Sequence, residues 1–132
     1  MKRIATILAA LGLTLGAGMA AGQDLGEMEY METCASCHGA GGTGDGPLAE
    51  LMTVEMPDLT MIAANNDGEF PMLEVIQVID GRTGVRGHGY PMPIWGQRFE
   101  QDAEPMGGPY GAELIVRGRV LVLAEYLASI QQ

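Results

Sequence analysis

The sequence predicts an all-α domain in which a few helices are joined by long loops. Apolar residues recur at spacings of three and four in two stretches, residues 72–79 and 114–127. Residues 39–46 and 81–96 hold five glycines each and show no periodicity. Because no stretch alternates as a half-buried strand does, helices and loops account for the whole pattern.

The first 22 residues are typical of a secretory signal peptide. Lys2 and Arg3 precede an apolar stretch at 4–15, and small residues at 16–22 supply a cleavage region. A retained membrane anchor is the alternative, because residues 4–21 together could nearly cross a bilayer. The glycines and the small-residue end favour removal, so we expect a leader at 1–22 and one domain at 23–132.

Residues 23–132 are strongly acidic. They hold 17 acids against five bases, all of them arginine, for a formal charge of −12. Nucleic acid and anionic lipid need a cationic face, so a basic protein partner is the expected one. Only seven side chains are aromatic, which suggests that something other than large apolar residues fills part of the core.

The elements follow in order along this domain. Apolar residues among acids at 25–33 fit a short amphipathic helix, which the glycines after His38 end. Residues 47–57 offer one or two helical turns, and 57–71 is predicted to be loop and short turns. Residues 72–80 form a clear helix, since Pro71 suits its first turn and Gly81 its end.

The second half is predicted to be one long loop and one long helix. The loop at 81–96 is long for a small domain, and such loops are usually functional. Residues 111–131 carry apolar side chains nearly on one face, and their length favours a helix over a buried strand. The acidic segment 99–113 between them is predicted to be a solvated loop or the place where a partner docks.

Both cysteines and one of the two histidines lie within residues 34–38, CASCH. This is the spacing of covalent haem c attachment, in which two thiols form thioether bonds with the two porphyrin vinyl groups. Cys34 and Cys37 would tether the ring, and His38, which follows at once, would present an imidazole nitrogen to the iron.

Three other uses of these residues fit less well. A disulfide between Cys34 and Cys37 would close too short a loop to stabilise a sparse core. A structural zinc site needs about four ligands, and His88 lies fifty residues beyond His38. A redox dithiol is expected in a βαβ setting, which this pattern lacks.

Four stretches, CASCHG, GDGP, MPIWG and LAEYLASIQ, resemble those of a class I c-type cytochrome of a bacterial periplasm. The resemblance covers essentially all of residues 23–132. It implies a small cytochrome c fold, in which the N- and C-terminal helices cross and helices and loops wrap around one covalently bound haem. It also implies a periplasmic location and redox protein partners.

Met92 is the predicted second iron ligand. It lies between Pro91 and Pro93, whose rings stiffen the loop, and MPIWG resembles the distal-ligand motif of these cytochromes. A methionine thioether opposite a histidine raises the reduction potential. His88, in the same loop, is the rival ligand, and its simpler role is that of a loop histidine.

The resemblance also implies supporting roles. The backbone carbonyl of Pro47, after the glycine run, would accept the other N–H of His38 and so fix its tautomer. Trp95 would hold a haem propionate through its indole N–H or pack over the haem edge, and Arg98 is a weaker candidate for the same role. Gly26 would let the terminal helices approach closely, with Tyr30 packed near Tyr126.

These features predict an electron carrier with no catalytic residues. With both axial positions occupied, electrons would pass through the exposed haem edge, and the protein would supply ligation, burial and docking. The first alternative is a dedicated cytochrome subunit of a periplasmic dehydrogenase or reductase. The second is a haem-based ligand sensor or small peroxidase, which needs an open iron and therefore a missing or labile Met92.

Overall fold

The computed structural model describes residues 17–84 and 92–132, and every regular element in them is helical. The elements are α1 (Ala17–Thr33), α2 (Ala35–His38), α3 (Met72–Asp80) and α4 (Trp95–Ser129), with 3-10 turns at Ala49–Leu51 and Leu59–Met61. The absence of strands from the described residues confirms the all-α prediction. Within the same ranges, none of the helices is long and apolar enough to cross a membrane.

Helices α1 and α4 cross at Gly26, as predicted. A Cβ atom at this position would lie 2.8 Å from the Tyr126 Cβ and closer still to the backbone carbonyl of Val122. Backbone cannot move aside as a flexible side chain can, so only glycine fits there. The rings of Tyr30 and Tyr126 pack beside this contact with their centroids 5.1 Å apart, which confirms the predicted pair.

The buried face of α1 differs from the one that its apolar pattern suggests. Leu25, Met28 and Met31 are exposed, whereas Gly26 and Tyr30, four residues apart, face α4. The close approach at Gly26 decides which side of α1 is covered. Tyr30 is fully buried with Leu123 and Val116 of α4, and these side chains form the centre of the core.

Helix α3 forms where the sequence predicts it. Val75 and Ile79, one turn apart, are its buried residues and belong to the same core. Gly81 ends the helix in the left-handed conformation, with φ 66°, and its N–H donates to the Gln77 carbonyl. The contacts of α3 and α1 with α4 therefore make α4 the central element of the described fold.

Helix α4 begins much earlier than predicted. It extends from Trp95 and is interrupted at Gly108, whose φ of 62° and ψ of −173° are not helical. The expectation of a solvated loop at 99–113 is therefore wrong: this segment is helical on both sides of Gly108. Phe99 and Ala103 are buried against the core and supply the packing energy that overrides Pro105 and the glycines.

The predicted leader at 1–22 lies mostly outside the described residues. The described part of α1 begins at Ala17, within the predicted leader, and the boundary between residues 22 and 23 stays a prediction.

Candidate cofactor site

The short helix α2 brings the two cysteines and the histidine together. The Cys34 N–H donates to the Tyr30 carbonyl at 2.8 Å, which continues the turns of α1. The N–H groups of Cys37 and His38 both donate to the Cys34 carbonyl, at 3.1 and 2.9 Å. One turn of backbone thus fixes Cys34, Cys37 and His38, and His38 is buried with 6 % of its surface exposed.

The glycine-rich residues 39–46 fold back along this helical turn. The Gly44 N–H donates to the His38 carbonyl at 2.8 Å, and the Leu48 N–H donates to the Ser36 carbonyl at 2.9 Å. Between these bonds, a Cβ at Gly46 would lie 2.5 Å from the Cys37 carbonyl oxygen. Glycine is required there because the returning backbone touches the helix backbone.

The His38 ring approaches a carbonyl further along the chain than predicted. Its Nδ1 lies 3.5 Å from the Pro57 oxygen, at the long limit of a hydrogen bond. The bond from Leu48 to Ser36 holds the segment around Pro47 against the backbone of α2. His38 thus contacts the Pro57 carbonyl, and the role of Pro47 stays a prediction.

A cavity of about 820 Å³ lies beside α2, within the usual size range of cofactor pockets. Five of the six predicted site residues line it: Cys34, Cys37, His38, Met92 and Trp95. Pro47 is exposed and is not among the lining residues. Apolar side chains of α3 and α4 complete the wall, including Val75, Ile79, Leu123 and Leu127.

This donor set fits a covalently bound iron porphyrin. Two thiols and a buried imidazole face a mainly apolar space large enough for a macrocycle, and a thioether lies on the same cavity. Cys34 and Cys37 are not joined to each other by a disulfide. Such a group would supply the core volume that the few aromatic residues do not.

Met92 and Trp95 reach the cavity from the start of α4 and the residues before it. Met92 and Pro93 are half-buried and line the space. The Trp95 ring packs on Phe99 with centroids 5.6 Å apart, and the Arg98 guanidinium lies 5.4 Å from the Trp95 ring centroid. Arg98 lines the cavity as well, so both candidates for holding a propionate are at the site. His88 and Pro91 lie outside the described residues.

Burial raises the pKa values of two ionisable side chains beside α2. Burial raises the pKa of the Cys34 thiol to about 11, although a contact of 3.3 Å with the Thr33 hydroxyl opposes the shift. The thiol is therefore protonated at neutral pH. Burial also raises the pKa of Tyr30, whose hydroxyl donates to the Gly39 carbonyl at 2.7 Å.

Side-chain hydrogen bonds of Tyr30 and of Gln131 hold the site together, and only Tyr30 was singled out from the sequence. Tyr30 joins α1 to the first residue after the histidine through its hydroxyl. Gln131 accepts from the Ala63 N–H at 2.8 Å and donates to the Leu59 carbonyl at 2.8 Å, which ties the chain end to a segment on the cavity wall. Gln131 follows the end of α4, and its polar side chain there was the available signal.

The sequence model of the family described as Cytochrome c matches residues 20–108. The match contains most of α1, all of α2 and α3 and the first part of α4, and thus Cys34, His38 and Met92. It ends at the interruption of α4, yet the remainder of that helix makes the predicted crossing with α1. Neither a curated protein nor a solved structure matches the chain. On this match, the chain belongs to the cytochrome c family, whose domain carries haem c, an iron porphyrin attached covalently.

Proposed function

We propose that this protein is a class I monohaem cytochrome c that transfers electrons in a bacterial periplasm, with His38 and Met92 as axial ligands. The observation that carries the proposal is the convergence of Cys34, Cys37, His38 and Met92 on one cavity. The haem supplies a one-electron redox couple when it is bound.

The residues around the cavity attach the haem, ligate its iron and shield it from water. Cys34 and Cys37 tether the ring, and their helical turn holds the His38 imidazole beside them. Met92 offers a thioether, a weak neutral ligand that favours ferrous iron and raises the potential. The apolar side chains of α3 and α4 exclude water, which limits the reorganisation that accompanies electron transfer.

Two spectra of the protein, matured in a periplasm, test this proposal. A pyridine haemochrome spectrum of haem c, retained after denaturation, would report covalent attachment at one haem per chain. The untreated protein should be low-spin in both oxidation states, and its reduced form should bind carbon monoxide slowly. A five-coordinate, high-spin reduced spectrum with rapid carbon monoxide binding would instead favour the ligand sensor or peroxidase.

Replacing Met92 separates the two candidate ligands. Met92→Ala should keep the covalent haem but lower the reduction potential and open the iron to carbon monoxide. Met106→Ala, at an exposed position, is the matched control and should change neither property. If His88→Ala opens the iron and Met92→Ala does not, His88 is the ligand and the assignment of Met92 is wrong.

One observation favours the alternative that the protein is a dedicated subunit of a dehydrogenase or reductase. Met106 and Tyr110 are 71 % and 80 % exposed on the segment that we expected to dock a partner. Large exposed apolar side chains are typical of interaction sites when they form a patch. Gel filtration of a native periplasmic extract decides the question, because a free carrier elutes as a small protein and a subunit elutes with its complex.

A further inference from the structure

One stretch of the cavity wall exposes apolar side chains on its outer side. Residues 48–58, which we call the 48–58 wall, contain Leu48, Leu51 and Val54, with 42 %, 77 % and 42 % of their surfaces exposed. Among the exposed large hydrophobic residues in the described part of the chain, only Leu48 and Val54 also line the cavity. This is therefore the described place where exposed apolar surface and the cofactor space meet.

The same wall is acidic and has no basic residue near it in the sequence. Residues 39–81 hold eight Asp or Glu and neither Lys nor Arg. Glu50 and Glu55 are exposed, and Glu55 lines the mouth of the cavity. Within the described residues, neither carboxylate forms an ion pair, whereas Glu29, Asp80 and Glu113 are all paired with arginines.

Unpaired charge beside exposed apolar surface is the arrangement of a transient docking site. Carboxylates around the patch attract a cationic partner from a distance, and the apolar residues make the close contact after encounter. A partner that touches Leu48 or Val54 is separated by one side chain from whatever fills the cavity. The position thus serves electron transfer, which needs a short path between redox centres.

We propose that the 48–58 wall is the docking surface for a redox protein that presents an apolar patch ringed by lysine or arginine. This inference rests on the proposed electron-transfer function. In the docked complex one electron passes from the reduced centre of the partner to the ferric haem. The partner is oxidised, the haem is reduced, and no atom is transferred.

The test measures electron transfer from reduced, lysine-rich mitochondrial cytochrome c, a basic redox protein that serves as the probe. Stopped-flow rates are recorded with the oxidised protein at several salt concentrations. The charge variant is Glu50→Gln/Glu55→Gln, and its control is Glu104→Gln/Glu125→Gln. The control removes the same two charges from exposed positions that do not line the cavity.

The wall variant should lower the second-order rate at low salt by about three- to tenfold, and the difference should fade as salt rises. The control pair should lower the rate by less than about twofold, because it changes only the long-range field. Equal losses in the two pairs would overturn the proposal, and a larger loss in the control would instead place docking on α4.

The apolar contact is tested by Leu51→Gln, with Leu121→Gln as the control at an exposed position of α4. Leu51→Gln should lower the rate by about threefold at every salt concentration, because no charge is changed. The Leu121 variant should match the parent. An unchanged rate in Leu51→Gln would exclude the wall as a contact surface.

Reduction by dithionite separates this inference from the proposed function. If dithionite reduces the protein fully and no wall substitution changes the electron-transfer rate with the basic probe, the protein is an electron carrier that docks elsewhere. A protein with no reducible covalent haem is not an electron carrier, and then the proposed function itself fails.

Discussion

The two parts of the domain on either side of Gly81 use their charges differently. Residues 23–81 hold twelve acids and no Lys or Arg, whereas residues 82–132 hold five of each sign. The first part therefore carries the entire net charge of the domain. Because the cysteines, the histidine and the 48–58 wall all belong to the first part, the acidic field surrounds the attachment side of the site.

In the second part, Arg82 and Arg119 join neighbouring helices. Arg82 binds Asp80 through two nitrogens, at 2.7 and 2.9 Å, and Glu113 at 2.8 Å, so it joins the end of α3 to α4. Arg119 bonds to Glu29 of α1 at 3.0 Å and lies 3.8 Å from the Phe99 ring centroid. Arg82 and Arg119 thus hold helices together through Asp80 and Glu29, whereas most acids of the first part form no ion pair with a described residue.

The largest expected effect is loss of the covalent haem, which separates the role of the two cysteines from that of the iron ligand Met92. The double variant Cys34→Ala/Cys37→Ala should yield protein without covalent haem, because no thiol remains to form a thioether bond. Met92→Ala, in the second part, should retain the haem. Mass spectrometry of each denatured protein measures the difference. Haem mass remaining on the double variant would contradict the assignment of both cysteines.

Next in size is the crossing of α1 and α4, where the two parts pack. Gly26→Ala should lower the free energy of unfolding by about 1–3 kcal/mol, because its Cβ would press on the backbone of Val122. Gly118→Ala is the control, since a Cβ there meets nothing within 4 Å and alanine favours helix. It should be neutral or raise stability by up to about 1 kcal/mol.

Denaturant unfolding of both variants measures these two changes in the free energy of unfolding. A Gly26→Ala protein as stable as the parent would show that the helices can separate at the crossing without cost.

Local signals were sufficient to predict much of this site. The spacing within residues 34–38 determines how one helical turn presents Cys34, Cys37 and His38, so their position followed from the sequence. Gly26 and Tyr30 were found through a family resemblance, because their four-residue spacing alone does not identify the partner helix. The helix at 72–80 carried both its periodicity and its stop signal.

What could not be predicted depends on contacts between distant residues. The helix at 95–107 contradicts the local preference of its glycines and proline, and it forms because Phe99 and Ala103 are buried. The approach of the Pro57 carbonyl to His38 depends on how the chain folds back between these two residues, which are nineteen positions apart. Loop closure of this kind leaves no periodic signal in a sequence.

A smaller effect is expected at the ion pairs of the second part. Arg82→Gln should lower the free energy of unfolding by about 1–2 kcal/mol, because it leaves half-buried Asp80 without its partner and disconnects α3 from α4. Arg117→Gln should change it by less than about 0.5 kcal/mol, since that side chain is 75 % exposed. Thermal unfolding at low salt compares them, and equal losses would show that Arg82 has no special structural role.

The smallest expected effect is the acid sensitivity of the same cluster. Hydrogen bonds from Arg82 hold the pKa values of Asp80 and Glu113 below their ordinary range. A depressed folded-state pKa contributes stability that is fully present above the unfolded value of about 4 and is lost as the pH falls through the folded value. The unfolding free energy of the parent should therefore decline below about pH 4, and that of Asp80→Asn should decline less steeply because one of the two groups no longer titrates. Denaturant unfolding between pH 3 and pH 6 measures both proteins, and parallel slopes would show that the cluster adds nothing to acid stability.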